Sequence, residues 1–352
     1  MGTDEHTRNA KLPKRKAARV RRTSAAVTIE SVAERAGVAP ATVSRALNHP
    51  SKVAAATLAR INLAIAETGY LPNLLAGALA TSRSRLFAAI VPSIANAVYA
   101  ETIQSFTRTV REHGYQVVLG ESGYDHETED SVVAALLGRR PDAIFLIGIN
   151  HSLECRRRLL AAKIPLVETW DITPTPLDVV VGYSHDAVGM AVAEFLLSRG
   201  HHRFAAICGD DARAHKRVRA FAAEIAKRGG GEVAVETAPP GSSLQWGRRC
   251  MANLLDRGFA DGAVFCSSDV LALGVMVEAQ SRGLKVPGDL AVIGFGDLEL
   301  AAHTFPALTT VRVDRTLMGA RAAEALLARV ADQPFPDTVI DLGFSIVSRE
   351  TA

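Results

Sequence analysis

The stretch GVAPATVSRALNHP, residues Gly37 to Pro50, decides how the front of this chain folds. Pro40 suits the first turn of a helix, where a missing N–H is no loss, so PATVSRALN predicts a helix opening at Pro40. Upstream, TIESVAERAGV carries Ile29, Val32, Ala33 and Ala36 at helical spacing, with Thr28 as the N-cap and Gly37 as the breaker. Downstream, AAATLARINLAIAETGY places Leu58, Ile61 and Ile65 on one face and stops at Gly69. Ala33, Gly37 and Val43 then fall at the spacing of a helix-turn-helix. Ala33 lets the two helices approach, Gly37 supplies the turn backbone, and Val43 pins the second helix.

The rest of the chain is much larger than this unit. With 352 residues, 48% hydrophobic and 22% charged, two or three folded domains are expected. Cys155, Cys208, Cys250 and Cys266 are scattered with no metal-ligand spacing, which reads as free thiols in a reducing cytoplasm. No apolar run reaches the length of a membrane span, and no secretory signal is recognisable. The net charge of +3 is uninformative, but its distribution is not: residues 8–22, RNAKLPKRKAARVRR, hold eight Lys and Arg and no acid. Residues 1–26 therefore read as a disordered basic arm, either merely solvated or adding phosphate affinity.

From Leu86 onward strands alternate with helices. LFAAIVPSI, YQVVLGES, AIFLIGIN, IPLVETWD and VVVGYS are strand candidates, and the rhythm repeats from FAAICGD. Two α/β halves of this kind form a cleft at the carboxyl ends of their strands. There is no phosphate-binding glycine loop, no assembled nucleophile and no metal motif, so an enzyme has no support and no cofactor is expected.

GYLPN followed by LLAGALATSRS, together with TVSRALN, resembles the lac repressor family of bacterial transcription regulators. The likeness continues through LLSRGHHRFAAICG, VFCSSDVLALGVM and KVPGDLAVIGFGD in family order. GYQVVLGESGYDHETE, IPLVETWDITPTPLDVVVGYS and DLGFSIV narrow it to the gluconate-operon repressors within that family. The resemblance implies an N-terminal all-α helix-turn-helix headpiece, residues 27–72, then a hinge helix and linker, 73–85. A periplasmic-binding-protein-like α/β effector and dimerisation domain, 86–352, follows. Its lobes are expected at 86–182 with 309–333, and at 183–308 with 334–352, with crossings near Tyr183, Leu308 and Pro334. The His201-His202 pair matches a family turn rather than a metal site.

The resemblance also assigns site residues. Pro40 and Ala41 stand where two side chains usually discriminate bases, and here they offer apolar contact to thymine methyls. Arg45 is the guanine contact, while Thr28, Thr42, Ser44 and Asn48 suit phosphates and positioning. Asn73 to Ala80 matches the hinge helix, with Ala76 at the small position and Leu79 as the minor-groove wedge. Gly77 departs from a longer polar residue there. In the cleft, Arg217 matches the family's ligand arginine and would clamp a carboxylate or hydroxyls. Ser268 and Asp269 occupy the usual Asn-Asp position, Val98 and Tyr99 an aromatic pair, and Trp170 an acidic ligand contact. Glu168 is a hydroxyl acceptor or, alternatively, one half of an internal ion pair. Gly296 replaces an aspartate that grips sugar hydroxyls, which argues against a plain neutral sugar. The expectation is a homodimeric repressor of sugar-acid catabolism, bound to palindromic double-stranded operator DNA in the cytoplasm. A small effector such as gluconate or a ketogluconate would release it. The alternatives are a non-regulatory sugar-binding protein, or a regulator of a neutral sugar or purine.

Overall fold

The computed structural model describes residues 27–70, 83–241, 243–335 and 337–352. The chain divides into two compact units, one holding the residues through Tyr70 and the other those from Arg83.

In the first unit, α1 (Ile29–Ala36), α2 (Pro40–Asn48) and α3 (Ala55–Thr68) surround one small core. Val32, Ala33, Ala36, Val43, Ala46, Ile61, Ala64 and Tyr70 are buried in it. Gly37 ends α1 in the left-handed region, φ 63°, a conformation that is cheap only for glycine. Pro40 opens α2 as expected. Thr28 occupies the N-cap position, and its carbonyl accepts from the Val32 amide at 3.3 Å. Its hydroxyl does not cap the helix but lies 3.5 Å from Ser31 Oγ.

The second unit contains two six-stranded sheets. The first has the order β11-β5-β4-β3-β1-β2, and the second β12-β10-β9-β8-β6-β7. The strands are β1 (Leu86–Val91), β2 (Gln116–Glu121), β3 (Ala143–Ile147), β4 (Leu166–Thr169), β5 (Val179–Gly182), β6 (Phe204–Gly209), β7 (Ala234–Ala238), β8 (Gly262–Cys266), β9 (Leu290–Phe295), β10 (Thr309–Arg312), β11 (Val339–Asp341) and β12 (Ser345–Val347). Pairing is parallel except for β10 with β12. β1, β3, β6 and β9 are near-continuous apolar runs because helices cover both faces of each sheet.

The lobe crossings differ from expectation. β10 pairs with β9, so it belongs to the second lobe, and β11 pairs with β5 in the first. The second crossing therefore follows Arg312 rather than Leu308, and the third follows Asp341 rather than Pro334. Both short strands sit beside a crossing, where local sequence does not say which sheet receives them.

The helices of this unit are α4 (Ala97–Glu112), α5 (His126–Leu137), α6 (Leu153–Ala162), α7 (His185–Ser198), α8 (Ala212–Lys227), α9 (Leu244–Asp256), α10 (Asp269–Ser281), α11 (Glu299–His303) and α12 (Arg315–Val330). Asn96, Asp125, Ser152, Ser184, Asp211, Ser243, Ser268 and Asp314 each cap a helix with a side-chain oxygen. Each such cap stabilises its helix by about 1 kcal/mol. One close approach matters for the site. A Cβ on Gly189 of α7 would meet the Arg217 carbonyl at 2.2 Å, so only glycine lets α7 and α8 pack at this distance.

Candidate effector cleft and nucleic-acid interface

On α2, Pro40, Ala41 and Arg45 are exposed on one side while Val43 and Ala46 face the core. Thr42 and Ser44 are half-buried. The helix thus presents a short apolar first turn and one arginine to solvent. The side chain of Asn48, and Asn73, Ala76, Gly77 and Leu79, lie outside the described residues.

Between the lobes, the carboxyl ends of both sheets converge on a chamber of about 40 Å³. It is lined by Val98, Tyr99, Trp170, Arg217 and Ser268, five of the seven effector residues expected from sequence. The chamber shares Asp211 and Arg213 with a neighbouring cavity of about 460 Å³. The latter lies within the ~300–1,000 Å³ range of small-molecule sites. A larger concavity, about 1050 Å³, is lined by Arg83, Asp142, Pro165 and Arg329 at the amino ends of the first lobe's strands. Open α/β sheets bind ligands at the carboxyl ends, so the interlobe cleft is the candidate despite its smaller volume.

Arg217 is buried, and its terminal nitrogens are engaged. Nη1 donates to His185 Nδ1 at 2.9 Å and Nη2 to the Ser267 carbonyl at 3.0 Å, with the guanidinium 4.0 Å from the centre of the Phe295 ring. His185 Nε2 donates in turn to the Trp170 carbonyl at 2.7 Å. Burial, with Arg217 and Arg213 nearby, holds the His185 imidazole well below its usual range, so the ring is neutral. Its tautomer follows from the two partners: Nε2 carries the proton and Nδ1 accepts.

Trp170 is itself buried, with φ 70°. A bulky residue in the left-handed region is strained by ~1–3 kcal/mol. Its ring meets Tyr99 edge-on at 5.1 Å. Ser268 caps α10 through its hydroxyl, which accepts from the Leu271 amide at 3.2 Å.

Two expected contacts are placed elsewhere. Glu168 lies on β4 with its side chain on the face covered by α5 and α6. It accepts from the Leu177 amide at 2.8 Å and stands 3.5 Å from His151 Nε2. The internal ion pair is therefore the reading the geometry gives. His151 Nδ1 also bonds Glu129 at 2.8 Å. Burial depresses this histidine, but the two glutamates outweigh it and hold its pKa up to about 9. Cys155 completes a group with Glu129 and His151 whose ligand-type atoms lie within 4.8 Å of one another. Its thiol is pushed up to about 12, chiefly by burial, and the histidine nitrogens already face carboxylates.

Asp269 is the second. It is fully buried, and its oxygens accept from Thr310 Oγ1 at 2.5 Å and the Leu298 amide at 2.7 Å. Burial pushes its carboxyl up to about 6 against those bonds. It anchors the turn after β9 rather than offering a free acceptor.

The sequence reading missed Tyr183, His185, Phe295 and, above all, Arg213. Arg213 Nη2 donates to Tyr99 Oη across the lobes at 2.6 Å. Lys216 Nζ bridges the same gap to Asp171 at 3.0 Å. For Arg213 the available signal was its spacing of one helical turn from Arg217, in the first turn after the Asp211 cap.

A helical headpiece of this kind joined to a two-lobed binding body defines a DNA-binding regulator controlled by a small molecule. The family comparison is specific: residues 28–73 match the model of bacterial regulatory proteins, lacI family, and residues 193–352 that of a periplasmic binding protein-like domain. The HTH-type transcriptional regulator GntR of Pseudomonas aeruginosa is 36% identical over 94% of this chain and 97% of its own. The GntR regulator of Escherichia coli is 32% identical over 90% of this chain and 96% of its own. Among solved structures, a LacI-family regulator from Silicibacter pomeroyi superposes with a TM-score of 0.87 at 33% identity, covering 92% and 99% of the two chains. The lac repressor dimer bound to operator and the anti-inducer ONPF gives 0.80 at 26% identity, covering 92% and 98%. The chain belongs to the lacI family of bacterial regulatory proteins. It is a DNA-binding transcriptional regulator, not an enzyme.

Proposed function

We propose that this regulator is a cytoplasmic repressor that binds a palindromic operator as a homodimer and is released by a sugar acid, with gluconate or a ketogluconate first. The observation that carries the effector class is a surplus of donors in the cleft. Trp170 Nε1, Tyr183 Oη, Arg213 Nη1 and Arg217 Nε are all buried without a hydrogen-bond partner. Two arginines face one chamber against a single carboxylate, Asp211, one oxygen of which caps α8, and both nitrogens of His185 are engaged. Each unsatisfied buried donor costs ~1–3 kcal/mol, so the cleft is matched to an acceptor-rich anion. The names of the GntR relatives support the same class.

On DNA, the exposed first turn of α2 would read thymine methyls through Pro40 and Ala41, and Arg45 a guanine edge. Asn73, Ala76 and Leu79 would form the hinge that enters the minor groove. Effector binding would close the lobes and shift the first against its dimer mate, so the paired hinges no longer fit together. Such coupling extends only as far as the ligand prefers the released state.

Fluorescence anisotropy on palindromic DNA with a central C-G step tests this reading. Gluconate, 2-ketogluconate, galactonate and a neutral sugar would be titrated into the complex at fixed salt. Release by a sugar acid alone is expected. Release by the neutral sugar alone, or by none of the four, rejects the effector class.

A further inference from the structure

Arg213 and Arg217 lie one turn apart on α8 and enter the same chamber, but their hydrogen bonds differ. Arg217 has each terminal nitrogen already donating once within the second lobe and its guanidinium face packed on Phe295, with Nε its one nitrogen without a partner. Its remaining N–H groups are held where His185 and Ser267 fix the guanidinium, with both bonds inside one lobe. Arg213 also faces an aromatic ring, that of Tyr99 at 5.5 Å, but its hydrogen bonds differ. Its Nη1 is buried with no partner, and its Nη2 is fixed by Tyr99 Oη of the first lobe. It also lines both the 40 Å³ chamber and the 460 Å³ cavity beside it.

We infer that Arg213, rather than Arg217, is the carboxylate-binding group of the cleft, and that through Tyr99 it ties the ligand's charge to closure of the lobes. This rests on the sugar-acid reading above. Tyr99 is fully enclosed, and burial pushes its hydroxyl up, so it remains a neutral partner rather than a phenolate competing for the guanidinium. Lys216, half-buried three residues on, is already committed to Asp171 and Asp186. A carboxylate seated on Nη1 leaves the Nη2 bond intact, so one side chain holds the ligand and the opposite lobe together. Arg217 then serves to orient His185 and Trp170.

Calorimetric titration of the full-length protein with D-gluconate and with D-glucitol, its neutral polyol counterpart, tests this. In Arg213→Gln, gluconate affinity should fall about 100-fold, the scale of losing a buried charged partner, while glucitol changes less than about threefold. Arg213→Lys keeps the charge without the planar fork and should fall about tenfold, and it serves where the glutamine variant does not fold. Tyr99→Phe should also lose about tenfold for gluconate, because the fork is no longer held. If the wild type prefers gluconate and Arg213→Gln binds it equally well, the assignment of Arg213 fails while the sugar-acid reading stands. An equal fall for both ligands likewise overturns it. A wild type that binds both ligands equally, or neither, overturns both readings. Binding of gluconate without release of DNA would leave Arg213 in place and reject only the proposed direction of regulation.

Discussion

Arg217 Nη1 donates to His185 Nδ1 at 2.9 Å, a contact that requires the imidazole to be neutral. The cleft therefore carries guanidinium charge that no histidine proton can share. Its donors are fixed in place before any ligand arrives, which spares the ordering cost of binding.

Stability should pass through an optimum set by two histidines of opposite sign. His185 is depressed below the ordinary 6.5, so its contribution is present above that value and is lost as the pH falls. His151 is held up to about 9, so its contribution is complete below 6.5 and is lost as pH rises through 9. Thermal melts from pH 5 to 10 should show both limbs. His151→Gln should flatten the alkaline limb; a variant that keeps the wild-type decline there would remove His151 as its cause.

Glu168→Gln should lower stability by about 1–2 kcal/mol, since it removes one of the two carboxylates beside a buried charged histidine while Glu129 remains. Release of DNA by the effector should change less than about threefold, because the side chain faces away from the cleft. A hundredfold loss of response with normal melting would restore Glu168 to the ligand site.

Glu168 also shows where the sequence stops being legible. A half-exposed strand alternates in polarity, but all four residues of β4 are buried, so nothing in LVET says which face its glutamate takes. Asp269 misleads differently: its position beside the chamber was readable, whereas the claims of Thr310 and Leu298 on its oxygens depend on the turn after β9. The headpiece was far more open to reading, because Gly37, Pro40 and Val43 each state a local requirement. The alternation of strands and helices announced both sheets. β10 and β11, with four and three residues, are too short to declare their lobe.

Arg45→Ala should weaken specific operator binding by about 1–3 kcal/mol and relax preference at one base position. Arg45 is exposed, so melting should shift little. Anisotropy against operator variants checks it, and a uniform loss across all sequences would recast Arg45 as a phosphate contact.

Gly189→Ala should destabilise the second lobe by about 1–3 kcal/mol, because its Cβ would overlap the Arg217 carbonyl. Shifting α7 from α8 also moves the arginines, so the effector concentration for half-release should rise. An unchanged melt and response would mean the two helices separate at no cost.

The unpartnered donors of Trp170 and Arg213 would also make the protein sensitive to its buffer. Small anions such as acetate or phosphate can sit weakly on guanidinium groups fixed at such spacing and compete with the effector. On the proposed function, salt would act on this molecule twice, loosening the headpiece from DNA phosphates and blunting the signal that would release it.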